Sequence, residues 1–158
     1  MIRPASEADH DATWEILEPI IRVGETYPLP RNIDRAGALA FWFAQGHDVF
    51  VADADQIVGT YYLRANQPGA GSHVANCGYA TAMSARGRGI GRMMCEHSLD
   101  RARALGFRAM QFNFVVSTNE GAVRLWERCG FAVVGRVPGA FDHPVHGYVD
   151  ALIMVRPL

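Results

Sequence analysis

Twice in its second half the chain runs a helical pattern into a glycine and then straight into strand-forming residues. "IGRMMCEHSLDRARALG" gives way to "FRAMQFNFVV", and "STNEGAVRLWERCG" gives way to "FAVVGRV". In the first unit Ile90, Met94, Ser98, Ala102 and Leu105 share one helical face, and Gly106 stands where a C-terminal cap belongs. In the second, Ser117 and Glu120 have the spacing of a capping box and Gly130 is the stop. Ahead of them "HVANCGYATAM", apolar and bounded by turn signals, predicts an interior strand. Behind them "FAVVGRV" and "YVDALIMV" predict two strands around the loop "PGAFDHPVHG". The N-terminal part begins with a short strand near Ile2. A helix follows in "SEADHDATWEILEPIIRVGE", with Ala12, Ile16, Ile20 and Val23 on one face and a kink at Pro19. After the loop "TYPLPRN" come a second helix over about 34–44 and a hairpin, "DVFVADADQIVGTYYLRAN", turning at Ala54 and Asp55. "QPGAGS" is the next turn. No internal repeat or linker divides the chain, so the order of elements predicts a mixed α/β fold in a single domain, 1–158.

A chain of 158 residues, 49% hydrophobic and 20% charged, can bury a core without metals or disulfides. Its net charge of −1, with both signs interspersed, offers no broad field to nucleic acid or an anionic membrane. No apolar run approaches the length of about 18 residues that a membrane helix needs. "MIRPASEADH" lacks the apolar core of a signal peptide, and a cytoplasmic protein is expected. Cys77, Cys95 and Cys129 share no metal-ligand spacing. They read as reduced, buried, small apolar residues rather than as nucleophiles, and no metal is expected.

Against this neutral background "ARGRGIG" stands out. A helix that starts near Gly89 already carries partial positive charge at its first turn, and Arg86, Arg88 and Arg92 add cations where the macrodipole disfavours them. Gly87, Gly89 and Gly91 leave main-chain N–H groups open to close approach, the chemistry of a phosphate site. The bland alternative is a glycine-rich turn with solvated arginines. The spacing is neither that of a kinase-type P-loop nor the G-x-G-x-x-G of a dinucleotide fold.

"ARGRGIG" resembles the R/Q-x-x-G-x-G/A signature of the GCN5-related N-acetyltransferase (GNAT) family, with Arg86, Gly89 and Gly91 at its defining positions. "NEGAVRLWERCGF" is similar to a second segment of that family, through Asn119, Ala122, Leu125, Glu127, Gly130 and Phe131. The resemblance implies the GNAT fold, a mostly antiparallel twisted sheet of about seven strands with about four helices. It implies acetyl-coenzyme A as co-substrate. The main chain from Arg86 through Gly87, Arg88, Gly89, Ile90 and Gly91 to Arg92 would hold the pyrophosphate. Thr81, Ala82 and Met83 would pair with the pantetheine arm, and Asn119 would bond that arm near the thioester. "SHVANCGY", "MQFNFVVSTN" and "YYLRANQPG" resemble segments of the yeast acetyltransferase that acts on proline analogues such as azetidine-2-carboxylate. By that likeness Asn76 helps recognise substrate and Asn113 holds the reacting group, with Asn119 assisting catalysis. Both Asn76 and Asn113 can equally be interior residues that bond neighbouring backbone. Glu25 and Tyr27, after the first helix, stand where related enzymes close over an acceptor, or are solvated loop residues.

Many family members place a tyrosine, as acid for the departing thiolate, where this chain has Trp126 at the cofactor. An indole N–H is no proton source near neutral pH. Tyr79, also a candidate substrate contact, and Tyr148 are candidate sources through water; His143 and His146 lie in the last loop. The function expected is acetyl transfer from acetyl-coenzyme A to the amine of a small molecule, an amino acid or proline-like analogue, by a homodimer. Two alternatives stand beside it. A protein N-terminus or lysine as acceptor would suit an acidic, open groove. A non-catalytic acyl-coenzyme A sensor would suit Trp126, but Asn113 beside Asn119 argues against it.

Overall fold

The computed structural model describes residues 1–158. In chain order the elements are β1 (Ile2–Pro4), α1 (His10–Val23), α2 (Arg35–Trp42), β2 (Asp48–Asp53), β3 (Ile57–Ala65), β4 (Val74–Thr81), α3 (Ile90–Ala104), β5 (Ala109–Val116), α4 (Glu120–Arg128), β6 (Ala132–His143) and β7 (Gly147–Pro157). The strands form one sheet in the order β1-β2-β3-β4-β5-β7-β6. Every neighbouring pair is antiparallel except β4 and β5. This is the seven-stranded, four-helix arrangement that the family resemblance implied.

Both glycine stops form as the sequence predicts. Gly106 and Gly130 have φ of 83° and 85°, and Phe107 N–H and Phe131 N–H reach back to Ala102 O and Trp126 O, each at 3.0 Å. The faces of two helices shift. In α1 the buried residues are Thr13, Ile16, Leu17, Ile20 and Ile21, because Leu17 and Ile21 draw the apolar stripe one position on and leave Val23 exposed. Leu105 is exposed as well, since the chain turns at Gly106 and Phe107 takes the inward place.

Two local predictions fail. Ser117 caps nothing: its N–H pairs with Asp150 O at 2.9 Å as a continuation of the sheet, and Asn119 caps α4, its Oδ1 accepting from Ala122 N–H. The loop "PGAFDHPVHG" is mostly strand. β6 runs to His143, and the register slips between Val137 and Phe141 to absorb residues 138–140 as a bulge. An edge strand tolerates proline there, and Asp150 holds the bulge by accepting from Arg136 at 2.7 Å and Gly139 N–H at 3.0 Å. His143 Nδ1 closes the remaining turn by accepting from the N–H groups of Val145 and His146.

The sheet carries a core on each face. Met94, Leu99, Met110, Phe112, Trp126 and Phe131 pack beneath α3 and α4; Ile16, Leu17, Ile21, Trp42 and Tyr62 pack beneath α1 and α2. On the second face the Tyr62 ring stacks on His47 at 4.4 Å and meets Trp42 edge-on at 5.0 Å. So clamped, it lies over Gly78, where a Cβ would stand 2.5 Å from a ring carbon. Gly78→Ala is therefore expected to cost about 1–3 kcal/mol, the usual penalty of overpacking. Chemical denaturation measures it, and the loss should shrink when Tyr62 is also truncated to leucine.

Candidate active site

β4 and β5 run parallel but pair only at Val74↔Ala109 and Ala75↔Met110. Beyond that point β4 keeps β3 and β5 keeps β7, and a wedge opens at their C-terminal ends, the position where parallel strands receive ligands. Asn76 stops the ladder. Its Nδ2 donates to Gln111 O at 2.9 Å, the carbonyl that a main-chain N–H of β4 would take if pairing continued. The β3–β4 ladder is bracketed by Asn66 N–H on Val74 O and Ala82 N–H on Val58 O. Even-numbered residues of β4 therefore bond β3, and the N–H and C=O groups of Cys77, Tyr79 and Thr81 face the wedge. Tyr27 OH donates to Tyr79 O at 2.6 Å, which ties the loop after α1 across this opening. On the α4 side Trp126 closes the floor between Tyr79 and Phe112, with ring centroids at 4.9 and 5.0 Å.

The arginine-glycine loop leads from the end of β4 into α3. Gly87 and Gly89 have φ of 74° and 80°, and a Cβ on either would meet nothing within 4 Å. Gly89 caps α3 without a side-chain bond, and no acidic residue stands in the first turn. The first helical bond is Met93 N–H to Gly89 O, so the N–H groups of Ile90, Gly91 and Arg92 lie outside the helical ladder. Arg86 and Arg88 are exposed and belong to none of the ion pairs; Arg92 pairs only with exposed Glu96. Free N–H groups, a positive helix end and unpaired guanidinium groups fit a pyrophosphate. At Gly91 the missing side chain also serves packing, since a Cβ there would come within 3.1 Å of Leu125 on α4.

The predicted site residues fall in four places. Thr81, Ala82 and Met83 lead from the wedge into the loop, with Ala85 buried behind them. Asn119 caps α4, which leaves its Nδ2 as the remaining donor. Asn76 and Asn113 lie on the α1 and α2 face. Asn76 is 5% exposed, and Arg64 Nε donates to its Oδ1 at 3.3 Å. Asn113 is exposed, donates to Asn66 Oδ1 at 2.6 Å and accepts from Gln111 Nε2 at 3.0 Å. Glu25 is exposed just past Gly24.

The two tyrosines proposed as proton sources are placed elsewhere. The Tyr79 side chain points to the α3 face, where its hydroxyl meets Ser98 Oγ at 2.7 Å, and burial holds its pKa well above the ordinary value. Only its main chain faces the wedge. Tyr148 is 78% exposed on the β6–β7 hairpin. The sequence reading missed Tyr62, Arg64 and Asn66, which stand at alternate positions of "YYLRAN" and so share one face of β3 with its extension. That alternation was the available signal.

Comparison with known proteins adds to this geometry. The model of the acetyltransferase (GNAT) family matches residues 11–131. N-acetyltransferase aca1 of Schizosaccharomyces pombe is 34% identical over 151 residues, which cover 84% of this chain and 72% of aca1. The structure of a GCN5-related N-acetyltransferase from Kribbella flavida is 42% identical with a TM-score of 0.95, covering 100% of this chain and 97% of that one. A phosphinothricin acetyltransferase from Sinorhizobium meliloti, solved in complex with AcCoA, is 23% identical and shares the fold at a TM-score of 0.87, covering 100% and 88% of the two chains.

Gly89→Glu places a carboxylate at the mouth of the anion loop. Calorimetric binding of coenzyme A is expected to vanish, while the fold loses no more than the cost of about 1–2 kcal/mol of a left-handed non-glycine residue. Affinity within a few-fold of the parent protein would contradict the loop's assignment.

Proposed function

The chain belongs to the acetyltransferase (GNAT) family, whose members are acetyl-coenzyme A-dependent acyltransferases, and we propose that its acceptor is the amine of a small molecule, an amino acid or proline-like analogue. The observation that carries this reading is the polar, non-acidic lining of the surface at the end of β3, where Arg64 stands next to Asn76 at the apex of the wedge. An open depression of about 280 Å³ lies there between residues 45–47 and 64–68, and no acidic residue lines it. That volume stands at the small end of ligand pockets. Asn66 lines it; hydrogen bonds join Asn66 to Asn113 and Asn113 to Gln111, and join the lining Arg64 to Asn76. A lysine-bearing protein surface would call for an acidic groove instead.

The co-substrate supplies an acyl carbon and a thiolate leaving group. The N–H groups that β4 turns into the wedge are preorganised donors for negative charge on the thioester oxygen. Asn113, a neutral carboxamide, accepts from the amine and orients it, and it neither takes nor gives a proton near pH 7. Asn119 keeps a donor near the α4 end of the wedge. Trp126 packs and can donate one hydrogen bond, but protonates nothing. The amine gives its proton to water or through Glu25, and its nitrogen bonds the acyl carbon as the C–S bond breaks. The thiolate departs without a dedicated acid, consistent with a thiol pKa of about 8.5.

The same reading takes residues 1–158 as one catalytic domain that works as a homodimer through the edge strand β6, where Val133, Val134 and Val137 remain exposed. Sedimentation velocity should return a dimer.

A screen of free amino acids, proline analogues and short peptides for release of coenzyme thiol tests the acceptor class. Turnover with a free amino acid and none with peptides is expected. Turnover with peptides alone would move the protein to protein acetylation, and no turnover at all to acyl-coenzyme A sensing. For Asn113→Ala, kcat should fall by about 10²–10³-fold, as for an oriented donor in other acyl-transfer sites. Coenzyme affinity and the shape of the pH profile should not change. An unaltered kcat would make Asn113 a purely structural partner of Asn66.

A further inference from the structure

Arg64 is a cation for which neither the fold nor the proposed chemistry accounts. It lies on β3 opposite Asn76 and is half-buried. The ion pairs of the molecule involve other arginines: Arg3, Arg22, Arg35 and Arg92, then Arg101, Arg103, Arg124 and Arg136. The hydrogen bond that Arg64 makes uses Nε, on Asn76 Oδ1 at 3.3 Å. Its two terminal nitrogens, with four N–H groups between them, have no acceptor in the protein. A guanidinium drawn partly out of water and left without a counter-charge is costly, and the planar fork it presents matches a carboxylate in two-point contact.

The surroundings suit an anion. Arg64 lines the depression of about 280 Å³ with His47, Asn66 and Gln67. His47 donates from Nδ1 to Trp42 O at 2.9 Å and stacks on Tyr62, so its ring is fixed. Burial first, and the nearby Arg64 charge last, hold the His47 pKa below its ordinary value, which leaves Arg64 as the depression's positive charge. The guanidinium is also connected to the reacting end of the site. Arg64 bonds Asn76, and Asn76 bonds Gln111 O where β4 and β5 part. A ligand seated on Arg64 is thus referenced to the apex of the wedge.

We propose that Arg64 is the carboxylate-recognition residue of the acceptor site: it takes the carboxylate of an amino acid in this depression and directs the amine towards the wedge. The inference rests on the small-amine reading above and names the group that makes the acceptor an amino acid rather than a simple amine. It assigns Arg64 to binding, not to proton transfer.

The test compares kcat/KM for the best free amino acid of the screen with that for its primary carboxamide, in the wild type, Arg64→Met and Arg64→Lys. The wild type should prefer the acid. Arg64→Met should lose about 30- to 3000-fold on the acid, chiefly through KM, and change the amide by less than about threefold. Arg64→Lys should retain part of the preference, since a point charge attracts a carboxylate but cannot grip both oxygens. If Arg64→Met does not fold, Arg64→Gln keeps a donor for Asn76 and takes its place. An Arg64 variant that favours the acid as strongly as the wild type overturns the assignment of Arg64 and leaves the proposed function standing. A wild type that acetylates acid and amide equally overturns the carboxylate subsite alone. A wild type that acetylates only peptides overturns both.

Discussion

The parting of β4 from β5 is the constraint on which the rest of the molecule depends. Two parallel strands that stay together would satisfy each other's backbone groups and leave nothing for a ligand; two that separate must have those groups met in another way. Here the separation is held from both ends. Asn76 takes with its side chain the carbonyl of Gln111, the β5 residue just past the last paired one, so the ladder ends at a defined place. Trp126, wedged between Tyr79 and Phe112, keeps the strands apart on the α4 face with apolar contact rather than with hydrogen bonds. The N–H groups of Cys77, Tyr79 and Thr81 are thereby turned into the opening.

The two ends of that opening differ in electrostatic character, and the difference comes from backbone on one side and side chains on the other. At the α3 end the positive charge is that of a helix terminus with no acidic residue to compensate it, augmented by Arg86 and Arg88. At the α1 and α2 end the groups are neutral carboxamides and one guanidinium, set on the alternate positions of β3 and β4 that face away from α3. The first arrangement suits a multiply charged phosphate of little directional demand. The second offers placed donors and acceptors, which is what discrimination among small polar acceptors requires.

The aromatic cluster beneath α1 and α2 links packing to that second end. Tyr62 cannot lie over β4 unless residue 78 lacks a Cβ, and it holds its position because His47 and Trp42 press on two of its sides. Tyr27 reaches across to Tyr79 O from the loop after α1, so the core of this face also pins the strand that lines the wedge. Stability and site geometry share the same residues here.

Much of the fold and the anion loop was legible in the residues themselves. Gly87, Gly89, Gly106 and Gly130 all adopt positive φ, and a local backbone demand of that kind is written into a local run of sequence. The order of strands and helices follows for the same reason. The length of β6, the cap on α4 and the buried stripe of α1 were misjudged, because each is decided by a partner distant in the chain: Asp150 for the bulge and for Ser117, the sheet face for α1. Asn76 and Asn113 could be singled out from the sequence, yet what they touch could not, since Gln111 and Asn66 reach them only through sheet register and strand divergence. Arg64 was one arginine among many until the fold half-buried it beside Asn76 with its terminal nitrogens unbonded. The sequence by itself determined the family, the glycine stops of α3 and α4 and the left-handed glycines of the arginine-glycine loop, which need only neighbours in the chain. The tertiary structure alone decided where the strands part and which polar groups are left unpaired there, because pairing is a property of segments that meet across the sheet.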